Sequence, residues 1–170
     1  MASQSTTSSS SSSAPPGHTP AHRIPTDSSY YSFNGNPWDR RNPESQTWMY
    51  AREARQQQSG LPDGQGVPYP SYFGNGERVP LSTPGSALAP SGRHGWLHHP
   101  LIPGRTTTWT PGSNTRPGGV RSIYTDGNIV EFDVGYHDVR IGTTGRGSGK
   151  FAVANYHSAA APPPPRTRTT

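Results

Sequence analysis

The sequence contains no cysteine and few large apolar residues. Without cysteine the chain has no disulfides, no thiolate zinc sites and no thiol catalysis. Leucine, isoleucine, valine and phenylalanine make up only 21 of the 170 residues, about 12%, and a share below about 20% is typical of disordered chains. No apolar run approaches the ~20 residues of a membrane-spanning helix. We therefore expect neither a core that spans the whole chain nor a membrane partner.

Charge of either sign is also scarce, because 15 Lys and Arg residues face 10 Asp and Glu residues, a net charge of +5. Lys150 is the only lysine, so nearly all of the positive charge is arginine. Arginine binds phosphate and stacks on bases, and the composition thus permits nucleic-acid binding without indicating it. The first residues, MASQSTTSSSSSS, lack the basic and apolar regions of a signal peptide, which predicts an intracellular protein, cytoplasmic or nuclear.

Glycine, proline, serine and threonine are abundant and make up 78 of the 170 residues. This composition predicts a mostly intrinsically disordered, low-complexity chain with one marginal helix and one small antiparallel β-hairpin or meander near the C-terminus. The predicted segments are a Ser/Thr/Pro-rich tail (1–42), a conditional helix (43–59), a disordered Pro/Gly-rich segment (60–117), a small β element (118–157) and a proline-rich tail (158–170).

The conditional helix is predicted because Pro43 suits the first helical position and the next proline is Pro62. Its apolar residues are adjacent and do not form a stripe, so an isolated helix would be marginal in water. We expect it to become firm against a protein partner, with Trp48, Met49 and Ala51 as the contact surface.

The β element is predicted from a stretch without proline, residues 118–161, that holds most of the β-branched residues. Two strands, 120–125 and 129–134, flank Asp126-Gly127, a dipeptide suited to a two-residue type I′ turn. That turn would place Tyr124 opposite Ile129 and Arg121 opposite Phe132. Stable order of so small an element would need a partner chain, a ligand or a second copy.

Beyond the hairpin the alternation of apolar residues changes phase at Gly135, which predicts a bulge or bend and a further strand over 136–141. A fourth short strand is expected over 151–156.

Three groups of residues invite a functional interpretation. The glycine-rich run 142–150 fails the phosphate-loop template, which leaves Arg140, Arg146 and Lys150 as weak contacts to nucleic acid. Acid–base cleavage of a phosphodiester uses a carboxylate, imidazoles and a guanidinium, and the β element carries these groups at Glu131, His137, Arg140 and His157. The simpler interpretation is that these four are ordinary solvent-exposed residues of the strands.

The third group is histidine, in RHGWLHHP, where His94 and His98 are four residues apart. Gly95 and Pro100 argue against the helix that a metal at this spacing would need. We therefore predict no metal site, no catalytic residues and no cofactor.

The run from Pro162 to Pro165, followed by Arg166, resembles a short polyproline ligand of the kind that WW and SH3 domains bind. The sequence thus favours a non-enzymatic intracellular protein that binds an unidentified protein partner through short linear motifs, with self-association through the β element as an accompanying expectation. Two alternatives stay open: a nucleic-acid-associated protein that uses dispersed arginine and aromatic residues, and a small phosphodiester-cleaving enzyme built on the β element.

Overall fold

The computed structural model describes residues 18–19, 27–33, 47–62, 68–85, 95–141, 150–160 and 163. Their regular elements, in chain order, are β1 (His18–Thr19), β2 (Tyr30–Ser32), β3 (Trp48–Tyr50), α1 (Ala51–Ser59), β4 (Ser71–Phe73), β5 (Trp96–Pro100), β6 (Val120–Thr125), β7 (Asn128–Asp138), β8 (Lys150–Val153) and β9 (Asn155–His157). A 3₁₀ turn, Val139–Ile141, follows β7. These elements build two antiparallel sheets and one helix, so the expectation of a mostly disordered, low-complexity chain is wrong.

The expectation failed because aromatic residues supply much of the core. Tyrosine, tryptophan and methionine were outside the aliphatic count, yet one aromatic side chain buries 150–250 Å² or so. The main core is formed by these buried residues: Tyr31, Phe33, Met49, Ala51, Ala54, Leu61, Leu97, Leu101, Val120, Tyr124, Phe132, Val134, Tyr136 and Ala154.

The first sheet consists of six strands in the order β4-β5-β6-β7, with β1 and β8 both paired along the far side of β7. Every pairing is antiparallel. Strand β7 is central and carries an unbroken buried run from Phe132 to Tyr136, because both faces of the sheet are covered there.

The turn of the β6–β7 hairpin lies at Asp126-Gly127 as predicted, with Thr125 opposite Asn128, but its geometry and register differ. Gly127 alone of the two has a positive φ, of +80°, whereas a type I′ turn needs both. An irregularity beside Thr125 leaves 129–131 as extra residues on β7. Tyr124 therefore lies opposite Phe132, and Arg121 lies opposite Gly135.

The change in the alternation of apolar residues that was predicted at Gly135 does not interrupt the strand. Strand β7 continues without a break through Gly135 to Asp138, so the expected bend and separate strand over 136–141 do not form. The expected strand over 151–156 is divided at Ala154: β8 belongs to the first sheet and β9 to the second.

The second sheet joins distant parts of the chain, in the order β3-β2-β9. Tyr31 pairs with Met49 on one side and with Tyr156 on the other, and their side chains face the main core. On the other face, the Tyr30 ring stacks on His157 at a centroid distance of 4.5 Å.

Helix α1 runs over Ala51–Ser59, whereas the prediction began at Pro43; residues 43–46 are outside the described residues. Trp48 and Met49 form part of β3 instead of the helix. The three expected partner contacts are buried and pack inside this domain, with exposed fractions of 3% for Trp48, 0% for Met49 and 0% for Ala51. The helix packs against the chain's own sheets, and binding of a partner through these three residues stays a prediction.

Polar residues of α1 hold the loop that leads from β5 to β6. The Gln57 amide donates to the carbonyl oxygens of Ile102 and Arg105, at 3.0 and 2.9 Å, and accepts from the Ile102 N–H at 2.8 Å. Glu53 accepts from the N–H of Gly104. Within the described part of the chain, no helix has the length and apolar character needed to cross a membrane.

Candidate functional site

The candidate site lies on the face of the first sheet that points away from α1. Side chains alternate between faces along a strand, and the register puts Arg121 on the same face as Ile123, which lies opposite His98. His137 shares this face through its pairing with Phe151. We call the surface carrying His98, Arg121 and His137, with their neighbours Tyr69, Ser71 and Phe151, the histidine face.

Gly135 makes room for this arrangement. It is the residue opposite Arg121, and a Cβ atom placed on it would come within 2.7 Å of Ile123 Cδ1. The irregular hairpin therefore matters for the site, because it is what brings a residue without a side chain opposite the arginine.

Arg121 is a buried cation, with 7% of its surface exposed. Its guanidinium donates to the carbonyl oxygens of Gly118 and Val120 and, at 3.4 Å, to the Tyr69 hydroxyl. Among the described residues no carboxylate bonds it, and its Nε has no hydrogen-bond partner. Burial lowers the pKa of Arg121 from its ordinary value. An arginine buried without a counter-charge costs several kcal/mol or so, which an incoming anion would offset.

His98 is bonded to the end of strand β4. Its Nε2 lies 2.6 Å from the Ser71 hydroxyl oxygen. Its Nδ1 is buried and has no hydrogen-bond partner among the described residues. Burial, reinforced by the charge of Arg121, lowers the pKa of His98 from 6.5 to about 3, so the ring is neutral at pH 7.

Phe151 lies between the two imidazoles of this face. Its ring centroid is 4.1 Å from that of His137 and 6.3 Å from that of His98. Its backbone N–H donates to Glu77, which joins β8 to the segment that follows β4. The aromatic ring thus contacts both imidazoles.

Tyr69 borders the other end of the face, next to Arg121. Its ring meets those of His98, His99 and Trp109 at centroid distances of 5.4, 6.0 and 5.7 Å. Burial lowers the pKa of His99 to about 4. Tyr69 therefore presents its hydroxyl to Arg121 while aromatic rings hold it on several sides.

Asp133 lies on the same face but is engaged elsewhere. Its Oδ2 accepts from the N–H groups of Ser82 and Thr83, both at 2.9 Å, and from the Thr83 hydroxyl at 2.8 Å. This carboxylate holds the 82–83 loop against the sheet, and so the groups left for chemistry on the histidine face are the guanidinium and the imidazoles.

The residues predicted for phosphodiester chemistry are not brought together. His157 bonds Ser32 at 2.9 Å in the second sheet. Arg140 is exposed and forms a two-pronged ion pair with Asp138, which lowers the pKa of that carboxyl to about 2. His137 alone of the predicted set lies on the histidine face.

The remaining predicted site residues have mixed positions. Lys150 is exposed at the start of β8, and Arg146 lies outside the described residues. Of the proline-rich ligand, Pro163 is described and half-buried, whereas Pro162, Pro164, Pro165 and Arg166 lie outside. Binding by these residues stays a prediction. Over the described ranges, no group of three or more potential ligands is close enough to hold a metal ion.

Sequence reasoning missed Arg121, Tyr69 and Ser71 as site residues. The sequence predicts Arg121 only as a strand residue opposite Phe132. The position of Arg121 opposite Gly135 is the feature that points to a site, but it can be known only once the register of the strands is known. Tyr69 and Ser71 stand in a segment expected to be disordered, where no pattern points to a site.

Comparisons with known proteins identify no relative. No protein-family model, no curated protein and no solved structure matches this chain.

Proposed function

We propose that the histidine face binds RNA through a phosphodiester group and cleaves it. The observation that carries this proposal is the buried Arg121 guanidinium, which has no carboxylate partner among the described residues and lies beside the neutral imidazole of His98. A phosphodiester would supply the negative counter-charge that is missing beside this guanidinium. Arginine also offers paired N–H donors that match the spacing of phosphate oxygens.

RNA is favoured as the substrate because it carries its own nucleophile, the 2′-hydroxyl. Cleavage then needs only a group that accepts a proton, a group that returns one and a stabiliser of the negative charge on the phosphate. The histidine face offers two imidazoles, His98 and His137, with Arg121 and the Tyr69 hydroxyl as stabilisers. His98 is neutral at pH 7, and the negative charge of a bound phosphodiester would raise the pKa of its imidazole from about 3 toward the range that a general base needs.

This proposal takes up the alternative of a phosphodiester-cleaving enzyme but changes its residues. Glu131, Arg140 and His157 leave the set, and Arg121, His98 and Tyr69 enter it. Recognition of a protein partner through Pro162–Arg166 stays a separate prediction.

The test is cleavage of a fluorescently labelled single-stranded RNA of 20 or so nucleotides by the purified full chain, with DNA of the same sequence as the control. We expect cleavage of RNA and not of DNA. His137→Ala should lower the rate about 10²- to 10⁴-fold, the usual range for a proton-transferring group. Arg121→Gln should lower it at least about 10²-fold.

Matched controls are His157→Ala and Arg140→Gln, the same kinds of substitution outside the histidine face, and both should stay within threefold or so of the parent. Arg121→Lys keeps the buried charge and serves as a second variant if Arg121→Gln fails to fold, as judged by circular dichroism. Absence of cleavage by the parent, or equal cleavage by His137→Ala prepared in parallel, would overturn the proposal.

A further inference from the structure

We infer that Ser71 is the group through which protons pass between the substrate and His98, and this inference rests on the proposed function. It starts from the accessibility of the His98 ring. Its Nδ1 is buried, and its Nε2 faces the Ser71 hydroxyl at 2.6 Å. Neither ring nitrogen is open to the histidine face, whereas Ser71 is only half-buried there.

The relay requires that the Ser71 hydroxyl donate to His98 Nε2. The two atoms lie 2.6 Å apart, within hydrogen-bond distance, and the tautomer of the ring decides which of them donates. When Ser71 donates to Nε2, the proton of the neutral imidazole resides on Nδ1.

This arrangement gives Ser71 a free lone pair on the side away from His98. A hydroxyl that already donates to a base can accept a second proton as it releases its own. The strand register holds the pair in place, since Ser71 lies directly opposite His98 across the β4–β5 ladder. The tilted ring of Phe73, with its centroid 5.7 Å from that of His98, limits the movement of the imidazole.

Cleavage moves one proton to His98 and takes another from His137. The 2′-hydroxyl proton moves to Ser71 Oγ while the Ser71 proton moves to His98 Nε2. The 2′-oxygen forms a bond to phosphorus, the bond from phosphorus to the 5′-oxygen breaks, and the leaving oxygen takes a proton from protonated His137. The products are a 2′,3′-cyclic phosphate and a free 5′-hydroxyl, with one proton gained by His98 and one lost by His137.

The test compares kcat and KM for a short RNA substrate in the parent, Ser71→Ala and Ser71→Thr, with Ser82→Ala as the matched control. We expect kcat to fall about 10²- to 10⁴-fold in Ser71→Ala, with KM within threefold or so. Threonine keeps the hydroxyl and should restore kcat to within tenfold or so of the parent. Ser82→Ala should match the parent, because Ser82 bonds Asp133 through its backbone N–H, which the substitution keeps.

A second measurement reports the proton position without relying on turnover: nitrogen-15 NMR of the histidine rings at pH 7, with His98 assigned by His98→Gln. We expect the proton on Nδ1 in the parent, and a changed tautomer ratio in Ser71→Ala. A proton found on Nε2, or an unchanged kcat in Ser71→Ala, overturns the inference.

The outcomes separate this inference from the proposed function. If the parent cleaves RNA and needs His137 and Arg121 but not Ser71, the relay is wrong and the function stands. If the parent cleaves no RNA, both are wrong. A phosphate adduct on Ser71 detected by mass spectrometry, with cleavage of DNA, would identify Ser71 as a nucleophile and also overturn the relay.

Discussion

Acidification from pH 7 to pH 5 should destabilise the folded chain through two buried histidines. The pKa is about 3 for His98 and about 4 for His99 in the folded state, against about 6.5 in an unfolded chain. The unfolded state therefore takes up protons first as the pH falls. The stabilisation is complete above pH 6.5 or so and is lost as the pH falls toward the folded-state pKa values.

The size of the effect follows from the same pKa values. Between pH 7 and pH 5 each imidazole takes up most of a proton on unfolding and almost none while folded. At about 1.4 kcal/mol per proton per pH unit, the two together lower the free energy of unfolding by up to about 4 kcal/mol. Carboxylates contribute little here, because their ordinary pKa values near 4 lie below this window.

The assay is urea unfolding followed by tryptophan fluorescence, at pH 7 and at pH 5, in the parent and in His98→Gln/His99→Gln. The double variant should lose most of the pH dependence, whereas His157→Gln, a change in the second sheet, should keep it. A parent as stable at pH 5 as at pH 7, or an undiminished loss in the double variant, would refute the reasoning.

Three further predictions concern the scaffold of the site and use the same unfolding assay. Gln57→Ala removes three hydrogen bonds to the loop after β5 and should lower the free energy of unfolding by about 2–4 kcal/mol; a change below about 0.5 kcal/mol would contradict this. Gly135→Ala brings a Cβ to 2.7 Å from Ile123 and should lower the free energy of unfolding by about 1–3 kcal/mol. Gly76→Ala, which has open space around it, should lower it by less than about 0.5 kcal/mol, and equal effects of the two variants would refute the steric argument. Asp133→Ala leaves three donors of the 82–83 loop without their acceptor and should lower the free energy of unfolding by about 2–4 kcal/mol. It should also expose Trp96, whose indole donates to the Thr83 carbonyl oxygen. An unchanged tryptophan fluorescence spectrum would contradict this second expectation.

Local patterns located the hairpin turn at Asp126-Gly127 but neither the bend expected at Gly135 nor the extent of the fold. Asp126-Gly127 gave the position of the hairpin turn because glycine there accepts a positive φ at no steric cost. The apolar residues of β6 and β7 were likewise assigned to strands. Strand β4 was missed because its neighbours Pro70 and Gly74 suggest a loop, and only pairing with β5 makes it a strand.

The site was harder to predict than the elements, since it depends on register. A shift of three residues on β7 decides whether Arg121 lies opposite Phe132 or opposite Gly135. That shift follows from tertiary packing, which buries Phe132 and leaves Val130 exposed. His98 was noticed for its spacing from His94, whereas its actual partner, Ser71, is 27 residues away.

The division of the last two strands at Ala154 has a consequence for how the chain is made. Strand β9 pairs with β2, and the hydrogen bond from Ser32 to His157 spans 125 residues of sequence. During synthesis, β2 leaves the ribosome long before its partner exists. The second sheet can close only after β9 emerges, so folding is dominated by contacts of long sequence separation and should be slow for a chain of this size. A nascent chain that stops short of Asn155 would still have β2 without its β9 partner.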